Sequence, residues 1–450
     1  MDSAAANKDL KVHVTNKQIL SIALPITLAI LIPQVNMLTN NIFLGNLSER
    51  ALGNAGITGV YYLIFAVAGH GLNNSLQSIF SKYAGADNTS MFKIVFAQGI
   101  RIALSFALIG IAFTWFIAPL ILKQFADPVD FPQEMEFLRI RIWGLPFLYL
   151  FLLGNAFLVS TLNSKLLIVG FVCEAGVNIL LDYLLIFGNW GFPALGFNGA
   201  AYASLIAEVV GVLVVFFVIA MKGLKQQYQL TNNMAYNKKV SREIIHIGTP
   251  LMLQYVISVA TWLVFFILIE EQGSEAKAIS NTMRNIFGLT GIFTWAVAGT
   301  SNAMISNLMG QKREDLVLKA IYKISMWSFL FCFSMCLLLN IFTETFFGVF
   351  GQGQEFIAHA TPVVRTVTTG LLIMSLANIW LNAVTGTGKT RYNLLFEVMA
   401  IFAYMIYTWY FMKLHYVNLA VAWSNEIVYW FVILAASFIF FRTNKWKSRH

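Results

Sequence analysis

Long unbroken apolar stretches separated by short polar turns run through the whole chain. Stretches able to span a bilayer fall at about 17–44, 52–81, 92–121, 134–161, 165–188 and 197–221, and six more at about 244–269, 276–308, 316–343, 358–386, 390–412 and 416–441. A crossing helix needs about 20 mainly apolar residues, so the pattern predicts twelve transmembrane helices, several long enough to tilt or to extend past the hydrocarbon. A transmembrane β-barrel would show short alternating segments instead, and the unbroken runs exclude it. One long polar stretch interrupts the series, KGLKQQYQLTNNMAYNKKVSR, between the sixth and seventh runs. It divides the chain into a tail (1–16), a first lobe of six spans (17–221), a linker (222–243), a second lobe of six spans (244–441) and a basic tail (442–450).

The two lobes read as a repeat. IALPITLAILIPQ (22–34) returns as IGTPLMLQYVISV (247–259), with Pro25 matching Pro250 at an offset of 225. FLRIRIWG (137–144) returns as PVVRTVTTG (362–370), so Arg139 matches Arg365 and Gly144 matches Gly370 at 226, while Glu174 and Glu397 lie 223 apart. Six spans per half put both halves into the membrane in the same direction, which makes the repeat parallel, an arrangement found in transporters whose halves rock about a ligand.

Composition agrees and charge adds orientation. Hydrophobic residues make up 58% of the chain and charged residues 11%, against about 25% in soluble domains. With the N-terminus inside, 21 Lys and Arg fall in inner segments and 4 in outer loops, which predicts two cytoplasmic termini in an inner, cytoplasmic membrane. The net charge of +9 therefore reads as an orientation signal and a contact with anionic lipid, not a nucleic-acid surface. No small-residue cleavage site follows a short apolar core at the start, so the first helix itself is expected to direct insertion.

Candidate chemistry is concentrated in EAGVNILLDYLLIFGNWGFPALGFNGAAYASLIAE (174–208). Glu174, Asn178 and Asp182 recur every four residues and so share one helix face. Ionisable groups inside a span are costly, and by default they mark an ion or substrate path. Counting about 1.5 Å per residue from the turn at 188–197 sets Ser204 at the depth of Asp182, and Glu208 level with Asn178, on the returning helix. Two plainer readings stand beside this one. Asp182 is then an interfacial residue reaching for the outer headgroups, and Glu174 is paired with Arg101 or Arg141. In the second lobe, Glu397 and Glu426 form either a counterpart or structural pairs with Arg284 and Arg365.

Other motifs add little. Cys332 and Cys336, one helical turn apart, read as packing residues. GTGKT (386–390) has Ala383 where a phosphate-binding loop needs its first Gly, so it reads as a turn. His70, His246, His359 and His415 are dispersed, and neither a zinc-protease motif nor a nucleophile elbow is present.

LPITLAILIPQ, NNIFLG (40–45), LRIRIWGLP, NILLD (178–182) and GAAYAS (199–204) together resemble the multidrug and toxic compound extrusion (MATE) family, within the polysaccharide-exporter and flippase superfamily, over about residues 17–442. The resemblance implies an all-α polytopic membrane protein with twelve helices in two six-helix lobes arranged as a V. It also implies a monomeric, ion-coupled antiporter, not an enzyme. Its partners would be amphipathic, often cationic small molecules and membrane lipid, exported against inward H⁺ or Na⁺, with no cofactor beyond that ion. Carried over by motif, the first-lobe coupling site comprises Asn40, Asn155, Asn178, Asp182 and Ser204.

The chain departs from the family where Asn40 stands for an acidic residue of the first helix and Ser258 for an acidic residue of the seventh; Asn378 and Asn382 lie near the acidic position of the tenth. Glu208 is therefore expected to supply the missing second carboxylate, with Glu174 deeper in the same cavity. Proton and cationic cargo would compete for that negative site, or Na⁺ would bind at Asp182 and Asn178. The alternative from the same superfamily is a lipid-linked oligosaccharide flippase, whose cavity would use the intramembrane arginines.

Overall fold

In lipid every backbone N–H and C=O must be satisfied within its own segment, so the apolar runs have one good solution, the α-helix. The computed structural model describes residues 9–124, 127–232, 234–349, 353–414 and 418–447. Lys8, His415, Arg449 and the outermost parts of both predicted tails lie outside the described residues. Among those described, all regular structure is helical.

The long helices, in chain order, are α1 (Asn16–Leu47), α2 (Glu49–Gly85), α3 (Phe92–Phe116), α4 (Phe131–Ser160, tightened to a 3₁₀ turn at Ile142–Gly144), α5 (Leu167–Phe187) and α6 (Phe197–Met221). They continue as α7 (Lys238–Glu270), α8 (Ser274–Gly310), α9 (Val317–Ile341), α10 (Gln354–Gly386), α11 (Thr390–Thr408, running on as a π-helical turn) and α12 (Asn425–Arg442). Each predicted span meets one of them. Eleven of the described helical segments are long and apolar enough to cross a membrane; α8 falls outside that set because Ser, Thr, Asn and Gly dilute its apolar face.

The chain divides into two compact units. Unit 1 holds the residues up to Lys11 and Leu28–Met252; unit 2 holds Val12–Thr27 and the residues from Leu253 on. In unit 1, α4 is the enclosed helix and packs against α2, α3 and α6, while α5 and α6 form an antiparallel pair. Unit 2 repeats this with α10 enclosed among α8, α9 and α12, and α11 paired with α12. The repeat reaches the turns as well. Asp87 and Lys312 take up left-handed backbone after α2 and α8, and Leu162 and Gly388 do so after α4 and α10.

The polar linker is packed onto unit 1. The Arg101 guanidinium donates to the Met234 carbonyl, Gln98 Nε2 donates to the Ala235 carbonyl at 2.9 Å, and Tyr228 stacks on Phe92 at 5.0 Å. Apolar Tyr228 and Leu230 are buried there, which draws a charged connection onto the surface of one lobe. The first turns of α1 are tied into unit 2 by a preceding extended segment. Val12 N–H donates to Asn307 Oδ1 at 3.0 Å, and Lys323 Nζ donates to the Val14 carbonyl at 3.3 Å.

Candidate functional site

The α5–α6 hairpin of unit 1 is built by glycines. Gly188 closes α5 in left-handed backbone (φ 73°), and Leu195 N–H then donates back to the Leu185 carbonyl at 2.8 Å. At Gly199 a Cβ would stand 2.6 Å from that same carbonyl oxygen, so only glycine lets α6 approach this closely. This tight start fixes the register of every polar residue further along the pair.

On that register Asn178 is buried and bridges three helices. Asn36 Nδ2 on α1 donates to Asn178 Oδ1 at 2.7 Å, and Asn178 Nδ2 donates to Ser204 Oγ on α6 at 3.3 Å. Ser204 thus bonds to Asn178, one turn from the Asp182 level that the depth count gives it. Asp182, one turn from Asn178 on the same face, is 0% exposed, and neither carboxylate oxygen has a hydrogen-bond donor. The side-chain oxygens of Asn36, Asn40 and Asn155 are likewise buried without donors. Unit 1 therefore buries unpaired acceptor oxygens on α1, α4 and α5, beside a hydrogen-bonded trio.

Asn36 is absent from the residues picked out in the sequence. It lies four residues before Asn40, the spacing that puts both on one face of α1, and that spacing could have found it.

Glu208 is engaged elsewhere. Arg141 on α4 grips it with both arms, Nη1 to Oε2 at 2.8 Å and Nη2 to Oε1 at 2.6 Å. The Tyr62 hydroxyl on α2 donates to the same carboxylate at 2.9 Å, and the Tyr62 ring lies 3.7 Å from the guanidinium carbon. A planar guanidinium matches a carboxylate two-pronged, and an aromatic face adds a further attraction for the cation. The depth count sets Glu208 level with Asn178, but Ser204 holds that place and Glu208, one turn further along α6, faces α2 and α4. Gly144, the last residue of the 3₁₀ turn in α4, leaves room for the carboxylate, because a Cβ there would overlap Glu208 Oε2. Glu174 is half-buried against Gly211 and shares the electrostatic field of Arg141 and Glu208. Arg101, the other partner proposed for Glu174, is spent on the linker.

In unit 2, neither Glu397 nor Glu426 forms an ion pair with Arg284 or Arg365 among the described residues; Arg284 lies over the Phe266 ring at 5.7 Å. Ser258 meets the Tyr429 hydroxyl at 3.2 Å, and Asn382 Nδ2 donates to Asn378 Oδ1 at 3.0 Å. Cys332 donates to the Leu371 carbonyl at 3.3 Å, a packing role. A surface cleft of about 400 Å³ lies between Trp115, Arg139, Trp143 and Tyr202 of unit 1, and its lining includes none of Glu174, Asn178, Asp182, Ser204 and Glu208.

The family model MatE matches twice, over residues 25–184 and 250–410, so its two copies start at the paired prolines of the repeat. A probable multidrug resistance protein NorM of Thermotoga maritima is 21% identical over 437 residues, 96% of this chain and 93% of that protein. Another, of Listeria monocytogenes, is 27% identical over 305 residues, covering 66% of each chain. Among solved structures, the outward-facing conformation of a multidrug resistance MATE family transporter of the MOP superfamily superposes with a TM-score of 0.86 at 15% identity, covering 100% of both chains.

Proposed function

The chain belongs to the MATE family of membrane transporters, and from that premise we propose that it exports amphipathic, cationic small molecules in exchange for H⁺ or Na⁺ taken up at Asp182. The multidrug resistance names of the Thermotoga and Listeria relatives support drug export. One observation carries the coupling: Asp182 is fully enclosed and neither oxygen meets a donor. An ionised carboxylate held that way costs several kcal/mol, so the stable states are those in which it holds a proton or a cation.

Proton and cationic cargo cannot both neutralise one carboxylate, and their mutual exclusion is the minimal chemistry of antiport. Na⁺, a hard ion, would draw on the amide oxygens that accompany Asp182. Alternating exposure of the site to the two sides completes the cycle. The pump acts as a monomer in the cytoplasmic membrane with both termini inside, a reading supported by the 21 to 4 distribution of Lys and Arg. The flippase alternative loses ground because Arg141 is committed to Glu208 and Arg101 to the linker carbonyl.

Asp182→Asn is the test. In proteoliposomes given a pH gradient and a Na⁺ gradient separately, the variant should lose gradient-driven dye movement at least about tenfold, the effect of about 1.4 kcal/mol of lost coupling, while unfolding at the wild-type temperature. Undiminished transport under both gradients rules out Asp182 as the coupling group. The gradient that drives the wild type identifies the ion.

A further inference from the structure

Unit 2 buries two carboxylates and gives them only neutral donors. Glu397 on α11 is 1% exposed and Glu426 on α12 is 4% exposed. The Tyr429 hydroxyl donates to Glu397 Oε1, and Gln254 Nε2 donates to its Oε2 at 3.2 Å. Glu426 accepts from the Tyr404 hydroxyl at 3.4 Å and from Trp430 Nε1 at 3.1 Å. The Tyr404 and Tyr429 rings stand 5.9 Å apart, so the tyrosines that hold the two acids touch each other.

Each neighbouring element contributes uncharged groups. From α7 come Gln254, Ser258 and Trp262; from α10, Gly370 lies against the Glu426 Cβ. The other titratable groups in contact are Tyr404 and Tyr429 themselves. Among the described residues no Lys, Arg or His is ion-paired with either acid. A second feature points to what the site takes up. Gln254, 8% exposed, turns its amide N–H to Glu397 and leaves Oε1 without a donor; Asn425, 0% exposed and adjacent to Glu426, leaves Oδ1 without one. Acceptors therefore exceed donors.

We propose that Glu397 and Glu426 form a second proton-binding site, contained within unit 2 and separate from Asp182. A proton removes an uncompensated negative charge and adds the O–H donor that the enclosure lacks. It comes from hydronium, forms one O–H bond on a carboxylate oxygen and leaves water behind, with no other bond changed. A metal ion fits less well, because each carboxylate oxygen already faces an O–H or N–H hydrogen. The use of this site in a transport cycle rests on the export reading above; proton binding itself does not.

The experiment is infrared difference spectroscopy of the purified full chain in lipid nanodiscs across a pH titration, reading the C=O stretch of protonated carboxylic acids. Glu397→Gln and Glu426→Gln should each remove part of the titrating band, the double variant should remove both parts, and both parts should survive in Asp182→Asn. If the Gln variants do not fold, Glu397→Asp and Glu426→Asp keep an ionisable group in altered geometry and should shift the midpoints of those parts. A double variant with the wild-type spectrum, or Asp variants with unchanged midpoints, overturns the proposal. In proteoliposomes the H⁺ moved per cargo molecule should fall in the double variant. A protein that moves no cargo but keeps the infrared assignment sinks the export reading alone.

Discussion

The two units place acidic residues on corresponding helices and neutralise them by different means. In unit 1, Glu208 lies against Gly144 and is held by the Arg141 fork over Tyr62. In unit 2, Glu426 lies against Gly370, the repeat partner of Gly144, and its donors are Tyr404 and Trp430. The offset that pairs those glycines, and Arg139 with Arg365, sets Val367 opposite Arg141. Val367 is 0% exposed and belongs to the packed interior. Arg141 in one copy of the motif and Val367 in the other thus separate an acid held by a guanidinium from an acid held by neutral donors. The first arrangement commits Glu208 to an ion pair and leaves Asp182, like Glu134 at the start of α4, as a buried acid without a donor. In the second, among the described residues, both acids of unit 2 are held by neutral donors and form no ion pair.

The most damaging way to break the contrast is to remove the cation. Arg141→Met should strand Glu208 in the interior and cost about 3–5 kcal/mol, and Arg141→Met with Glu208→Gln should recover most of that loss. Unfolding midpoints in mild detergent, combined as a double-mutant cycle, measure it. If the double variant is as unstable as the single one, the ion pair does not account for the effect.

A smaller difference is expected at the matched glycines. Gly144→Ala puts a methyl group into the Glu208 carboxylate and should cost about 1–3 kcal/mol through overpacking. Gly370→Ala meets the Glu426 Cβ at 3.4 Å, an ordinary contact, and should be neutral or stabilising by up to about 1 kcal/mol through helix propensity. Equal costs at the two positions would show that the glycines serve some common purpose other than room for the acid.

The smallest effect belongs to the Arg50–Asp130 pair of unit 1. Asp130, between α3 and α4, is held below its usual range by hydrogen bonds from Arg50 and Asn54. A carboxyl with a depressed value contributes its stability above its unfolded value, about 3.9, and loses it as pH falls through the folded one. Wild type should therefore lose a little stability below about pH 4 that Asp130→Asn does not lose over the same range. Parallel unfolding curves from about pH 5 to pH 3 check this.

Much of this was legible before any coordinates, because it depends on order along one chain. The spans follow from apolar run length, the lobes from an offset that stays near 225, and the shared face of Glu174, Asn178 and Asp182 from a four-residue spacing. Rise per residue set Ser204 level with Asp182, whereas its hydrogen bond goes to Asn178, one turn away. The sequence could not say which neighbouring helix each side chain turns to. Glu208 lies one turn from Ser204 on α6, yet Ser204 meets α5 while Glu208 reaches α2 and α4.

Spacing therefore determined which residues of this protein are neighbours along a helix, and tertiary packing decided which are partners across helices. The rotation of α4 that presents Arg141, the entry of Asn36 beside Asn178, and the neutral donors that hold Glu397 and Glu426 are products of packing. The physical reason is that periodicity fixes angles around a helix axis, whereas a partner is fixed by distances between axes. Those distances are set by small residues such as Gly144 and Gly199, whose effect appears only when a second helix is laid against them.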